Sequence, residues 1–255
     1  MRTRYVDIDD RMEDLAERMR HDPELAADFL HRYEMSWLYH ENALEGVVYS
    51  SQELTTALAQ PTLTDATFVS ALVEIRNHKS ALDAVREEAR AKKLKLNAAL
   101  SKRLYEMLGR GIEGRDVAEY RKDMPLHRAY FHDIAQPPRI APLLQRLFDG
   151  CETAEFRNAH PIQQAARLEH GFMQVFPYTE NSGRVARLIG NLVLLHAGYQ
   201  LPVVIHATDR QRYYESLRQP ETVLRELTVE ALDNALSVAE KQFAQAPARA
   251  RKAAR

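Results

Sequence analysis

Residues 175–187 read V-F-P-Y-T-E-N-S-G-R-V-A-R. An apolar helical run ends at Val175, and Pro177 cannot continue it. A loop follows that carries one acid, Glu180, and small polar residues. A new helix opens with Gly183, Arg184 and Arg187. The free N–H groups of a helix N-terminus, with its dipole, favour an anion. Asn181, Ser182 and Gly183 are small enough to let backbone approach a phosphate. Arg184 and Arg187 are three apart, so both reach one side of the helix mouth. Glu180 beside a bound phosphate suits a hard cation such as Mg²⁺. An ordinary inter-helix loop with surface arginines fits the same letters, and the residues alone do not choose.

The rest of the chain points to helices. Of 255 residues only 9 are glycine, about half the usual ~7 %. All-β sandwiches and barrels lean on closely spaced Gly/Pro turns, so the expected class is all-α, mainly helical. Hydrophobic residues make up 45 % and charged residues 28 %, which excludes a disordered chain. Lys+Arg total 35 against 36 Asp+Glu, so no basic field invites nucleic acid. The single Cys151 cannot form an internal disulfide, and the N-terminus has no apolar signal region. Both suit a cytoplasmic protein. Residues 188–208 lack Asp, Glu, Lys and Arg, but Asn191, His196, Gly198, Gln200 and Pro202 interrupt them. A buried helix, a stop and a short extended piece is expected there, not a membrane span.

Helices are expected at 9–21, from Pro23 behind an Asp22 cap to about Glu45 with Gly46 closing it, at 64–91, 95–108, 140–149, 161–175, from Gly183 to Gly198, at 210–219 and at 222–243. Residues 116–138 hold Pro125, Pro137, Pro138 and alternating Leu126, Ala129 and Phe131, which reads as a loop with a short β-hairpin. The division is 1–60 for N-terminal helices, 61–243 for the core and 244–255 for a frayed Ala/Arg/Pro-rich tail.

Other motifs carry less. Residues 109–114 spell G-R-G-I-E-G, but a helix precedes them and a polar loop follows, the reverse of a dinucleotide fingerprint. His40-Glu41 begins like a zinc helix, yet Leu44 stands where the second His belongs. His170 and His196 lie on apolar helix faces and read as packing or capping residues.

The 176–187 loop resembles that of the Fic (Fido-domain) family, H-P-F-x-D/E-G-N-G-R-x-x-R. The runs RLIGNLVLLHAGYQLPVVI (187–205) and DRQRYYESL (209–217) look like the family's following helix and turn. Glu119-Tyr120-Arg121-Lys122 resembles the lead into its target-docking flap. Upstream, Glu41-Asn42-Ala43-Leu44-Glu45-Gly46 resembles the S/T-x-x-x-E-G/N inhibitory helix, with Glu41 at the Ser/Thr position. The resemblance covers about residues 30–240 and implies a Fic fold with a short β-hairpin flap.

It also implies a chemistry: AMP transfer from ATP to a protein hydroxyl. The motif His is the general base, the acid holds Mg²⁺, the loop backbone and Asn bind phosphates, and the arginines hold the β/γ side. By that analogy the nucleotide (ATP or ADP) would lie against Asn181, Ser182, Gly183, Arg184 and Arg187, and Mg²⁺ against Glu180. Glu45 would pair with Arg187, obstruct the γ-phosphate or position water. A protein target would dock by β-augmentation at Met124, Leu126, Ala129 and Phe131. A homodimer is a further partner state to consider; membrane and nucleic acid are not expected.

The chain departs from the pattern at three positions. Phe176 replaces the His, Asn181 the first Gly and Ser182 the Asn. Phenylalanine accepts no proton, and a general base contributes typically ~10²–10⁴-fold. Asn tolerates a left-handed backbone, and Ser still donates to a phosphate oxygen. Three functions follow: a nucleotide binder whose AMP transfer is lost or reduced; an enzyme of altered chemistry, removing AMP or using another phosphate-containing donor; or an inactive interaction module. His127 and His132, in the expected flap, are the candidates for a substitute base.

Overall fold

Two antiparallel neighbours form the centre: α8 (Pro161–Val175) and α9 (Ser182–His196), joined by the six-residue 176–181 loop. A computed structural model of the chain describes residues 2–59, 69–115, 117–125 and 132–253, with side chains described as far as residue 244. Nearly every residue of α9 from Ser182 to Leu194 is buried. That explains the uncharged run from 188: the helix is covered on all sides by protein. No described helix is long and apolar enough to cross a membrane.

The other helices wrap this pair. They are α1 (Arg2–His21), α2 (Pro23–Leu44), α3 (Ser51–Ala59), α4 (Val69–Ala89), α5 (Ala98–Gly109), α6 (Ile140–Cys151), α7 (Ala154–Arg157), α10 (Arg210–Ser216) and α11 (Glu221–Ala253). α4 lies against α9, α11 against α8 and α1, and α5 against α4. One apolar cluster runs from Tyr5 to Phe243 and takes in residues of the N-terminal helices together with those of α8, α9 and α11.

Local chemistry sets the starts. The Asp22 carboxylate accepts from Leu25 N–H at 3.0 Å ahead of Pro23, which opens α2. Asn97 caps α5 in the same way at 2.9 Å. His160 caps α8 through Nδ1, and Gln163 reaches back to the His160 N–H at 3.2 Å. Gly46, at φ +88°, ends α2 in the left-handed region that favours glycine.

Some expectations change. α1 starts at Arg2, α9 one residue before Gly183, and α11 continues to Ala253, past the expected end at 243. α3 and α7 are additional short helices. Among the described residues there is no strand, so the β-hairpin is not seen. Its alternating positions Leu126, Ala129 and Phe131, and His127, lie outside the described residues, as does the expected start of the 64–91 helix. Backbone N–H groups of the described flanks bond to the α8 end and the loop beyond it. Arg121 N–H donates to Pro177 O at 2.9 Å and Ala135 N–H to Gln174 O at 2.9 Å. The G-R-G-I-E-G run is a turn at the end of α5, with Gly111 and Gly114 at positive φ.

Candidate functional site

Phe176 caps α8 in the left-handed conformation, φ 46° and ψ 67°, and is 1 % exposed. A non-glycine residue there costs of order 1–3 kcal/mol and needs surrounding structure to hold it. Arg121 does much of the holding. Its Nε donates to Phe176 O at 2.7 Å, Nη1 to Asp123 O at 3.1 Å, and Nη2 to Val175 O at 3.3 Å and to Ala135 O. This arginine, 4 % exposed, thus uses its guanidinium on backbone carbonyls and ties Asp123 and Ala135 to the loop. Burial lowers its pKa from the ordinary arginine value. In the sequence Arg121 stands out only within the family resemblance, since nothing local marks it as a buried donor.

Tyr178 is the loop's anchor. It is fully buried, stacks on Tyr105 with ring centroids 4.4 Å apart, and its hydroxyl meets Ser101 Oγ at 3.0 Å. Ser182 closes the loop on itself: Oγ accepts from Tyr178 N–H at 2.9 Å and donates to Tyr178 O at 2.8 Å. A hydroxyl expected to face a phosphate is therefore committed to the loop. Asn181, at φ 58°, supplies the left-handed turn, and its Oδ1 accepts from Arg184 at 2.7 Å. Its side chain does not cap α9.

Arg184 is buried and rests on neutral amides, Asn181 Oδ1 and Asn42 Oδ1, each at 2.7 Å. Its nearest carboxylate oxygen, on Glu74, is 3.8 Å away. Glu180 pairs with Arg115 at 2.5 Å and is half exposed.

Arg187 is enclosed by acids. Nε donates to Glu41 Oε2 at 2.6 Å, and Nη2 to Glu45 Oε1 at 2.9 Å. Nη1 donates to Tyr213 Oη at 3.4 Å, and Tyr213 in turn donates to Glu169 Oε1 at 2.9 Å. One arginine thus faces three carboxylates. Burial raises the Glu41 carboxyl, with Arg187 pulling it back. Burial raises Glu169 to about 7, against the opposing pull of Arg187 and Tyr213. The Glu45 carboxylate lies directly over the first turn of α9. A Cβ placed on Gly183 would fall inside contact distance of Glu45 Oε1, so the glycine is what admits the acid. Glu41 and Asn42 were not singled out as contacts by sequence; the i, i+4 spacing of Glu41 and Glu45 on one α2 face was the signal.

The loop's geometry suits an anion, since a carboxylate already stands at the start of α9 beside Arg187. The described residues contain no group of three or more metal-ligating side chains. Glu180 would be the chain's own ligand to a phosphate-bound cation, and Arg115 would have to share it. His132 packs its edge against Phe176, with centroids 6.4 Å apart, but is 3 % exposed with Nε2 on Met173 O at 2.9 Å. Met124 is 37 % exposed at the loop margin. His170 and His196 meet the carbonyls of Gln219 and Ala89 at the chain surface. A separate cavity of about 620 Å³ lies among α2, α11 and residues 204–209, and no residue of 176–187 lines it.

Residues 93–194 match the Fic/DOC family. A protein adenylyltransferase Fic of Drosophila willistoni is 33 % identical over 82 residues, 32 % of this chain and 16 % of that protein. One of Nematostella vectensis is 43 % identical over 60 residues, 24 % of this chain and 14 % of that protein. The matched stretch is therefore about a sixth of these relatives' length. A Fic-domain-containing signaling protein of Bacteroides thetaiotaomicron superposes with TM-score 0.76 at 20 % identity, covering 91 % of this chain and 96 % of that one. Fic-1 (residues 134–508) of C. elegans gives 0.75 at 17 %, covering 94 % and 71 %. These two carry the fold. Residues 93–194, which include the loop, α8 and α9 as far as Leu194, are thus a Fic/DOC-family segment.

Proposed function

We propose that the chain is a nucleotide-binding Fic protein, related to the protein adenylyltransferases, in which forward AMP transfer is lost or strongly reduced. One observation carries the reading: the Glu45 carboxylate sits over Gly183 at the start of α9, bonded to Arg187. A folded chain that brings an anion to a helix N-terminus has a place for a phosphate there. A nucleotide would displace Glu45, with its phosphates against Gly183 and the α9 N-terminus. Arg184, hydrogen-bonded to amide oxygens with the Glu74 carboxylate at 3.8 Å, can turn its charge to them. ATP or ADP with Mg²⁺ is the expected ligand, Glu180 being the cation's residue.

Phe176 supports the loss of transfer. Phe176 stands where the family resemblance expects the general base, and its buried ring has no group to take a hydroxyl proton. His132 is an unsuitable substitute, since it is enclosed and committed to a backbone carbonyl. Arg121 orients the loop and the segment leading to the expected target surface at 124–131. A protein target at that surface is part of this proposal, as is the inhibitory role of Glu45.

Calorimetry with ADP and with ATP plus Mg²⁺ tests the binding. Heat from wild type that falls at least tenfold in affinity with Arg184→Ala supports it; no heat from wild type or Glu45→Gly sinks it. Labelled-AMP transfer then separates the chemistries. Gain only with Phe176→His marks a silenced transferase. Release of AMP from a modified protein, lost in Glu45→Ala, marks the reverse reaction.

A further inference from the structure

Arg187 has two carboxylate partners of different kind, and the difference has a consequence for which phosphates the site can read. Glu45 is the C-cap residue of α2, followed by Gly46 at φ +88°, and its side chain is 11 % exposed. It stands at the end of a helix and can swing out. Glu41 lies one turn inside α2, with a side chain 2 % exposed, among buried Asn42, Ala43 and Leu44. It cannot leave Arg187 without moving the helix.

An incoming phosphate that displaces Glu45 therefore takes over the Nη2 position of Arg187 but not its Nε side. The Nε edge stays with Glu41 at 2.6 Å, Nη1 faces Tyr213, and the Arg187 charge stays neutralised. The two-point grip through the Nε/Nη2 side, one of the two such grips an arginine offers a phosphate, is closed by Glu41. Arg184 is different: it has amide partners and no carboxylate closer than 3.8 Å. The cradle thus offers one helix N-terminus and one available arginine charge.

We propose that Glu41 is a specificity-determining residue: by holding Arg187 it makes the site recognise a nucleoside diphosphate and gain nothing from a third phosphate. This rests on the nucleotide reading above and goes beyond it, because release of Glu45 alone does not free Arg187.

The test measures ADP and ATP affinities, at fixed Mg²⁺, for wild type, Glu45→Gly, Glu41→Gln/Glu45→Gly and Glu41→Ser/Glu45→Gly. Glu45→Gly should bind both nucleotides more tightly than wild type, with the two affinities within about threefold of each other. Either double variant should favour ATP over ADP by about tenfold or more, which is ~1.4 kcal/mol. The glutamine version keeps the shape and an acceptor, so it stands if the serine version folds poorly. A tenfold ATP preference already present in Glu45→Gly, or a ratio unchanged in both doubles, overturns the assignment.

A nucleotide-free arm separates the two readings. The Arg187 Nε–H resonance, identified by its loss in Arg187→Lys, should persist in Glu45→Gly and shift or exchange rapidly in Glu41→Gln. A resonance indifferent to Glu41 overturns the hold itself. Absence of nucleotide binding by every variant, with the resonance behaving as expected, overturns the nucleotide reading and the specificity with it, and leaves the Glu41–Arg187 hold established.

Discussion

Gly183 shows how much one missing methyl group decides. Its absent Cβ is the space that Glu45 Oε1 occupies, with Arg187 Nη1 3.0 Å from the same point. Gly183→Ala should push the Glu45 carboxylate off α9, with the lost Arg187 contact outweighing the better helix propensity of alanine by about 1 kcal/mol. Urea unfolding checks it, and a midpoint unchanged from wild type would contradict the contact. Ser182 tests the loop from the other side. Ser182→Ala removes both of its bonds to Tyr178 and should cost about 1–3 kcal/mol, read in the same titration. At this scale the sequence was partly legible. The pairing of Glu45 with Arg187 was expected, and the structure places the two at 2.9 Å. The second acid was not expected: the resemblance supplied a partner for Arg187 in Glu45 alone, and the spacing of Glu41 one turn before it acquires meaning only once α2 is packed against α9. Nor was the use of Ser182 inside the loop, since a hydroxyl's choice between ligand and backbone is made by geometry.

Among the elements, the long helices could be read and the connections could not. Asp22-Pro23 and Gly46 bracket α2, and the apolar run of α9 announces a buried helix, because capping and periodicity are local. The 117–136 segment follows no period. Arg121 joins its described ends to the loop, with bonds to the carbonyls of Asp123, Ala135, Val175 and Phe176. Arg121→Ala would leave several buried carbonyls without a donor and should lower stability by about 2–4 kcal/mol. It should also speed amide exchange at Ala135, whose N–H bonds to Gln174 O, well beyond the change at α4. Equal acceleration everywhere would place Arg121 in the general core instead. Arg121→Lys keeps the charge but not the fork, and should recover less than half of the loss.

For the whole molecule, the acid-rich centre sets a pH dependence. Glu169 is raised to about 7 when folded, above its ordinary value near ~4.3. Between those values the folded chain holds a proton that the unfolded chain has released. Stability from this group is therefore full below about pH 4 and is lost as pH rises through about 7. Urea midpoints should fall between pH 5.5 and pH 8, and Glu169→Gln, which can still accept from Tyr213, should remove most of that fall. A variant with the wild-type slope would assign the dependence elsewhere. Burial of three acids around one arginine also explains why net charge said so little: the balance of 35 against 36 hides a local excess at the one place where chemistry is expected.

Glu45 can finally be considered as a ligand on a tether. It is joined to the cradle through α2, so it competes for Gly183 and Arg187 at a fixed effective concentration, of the order of millimolar or above for a short connection. Dilution does not weaken it, and no amount of washing removes it. A free phosphate compound meets an occupied site whatever the protein concentration, and its apparent affinity is scaled down by a constant factor set by the α2 end. Loosening that end, for example by lengthening the turn after Gly46, would change the factor without touching any group that meets the ligand.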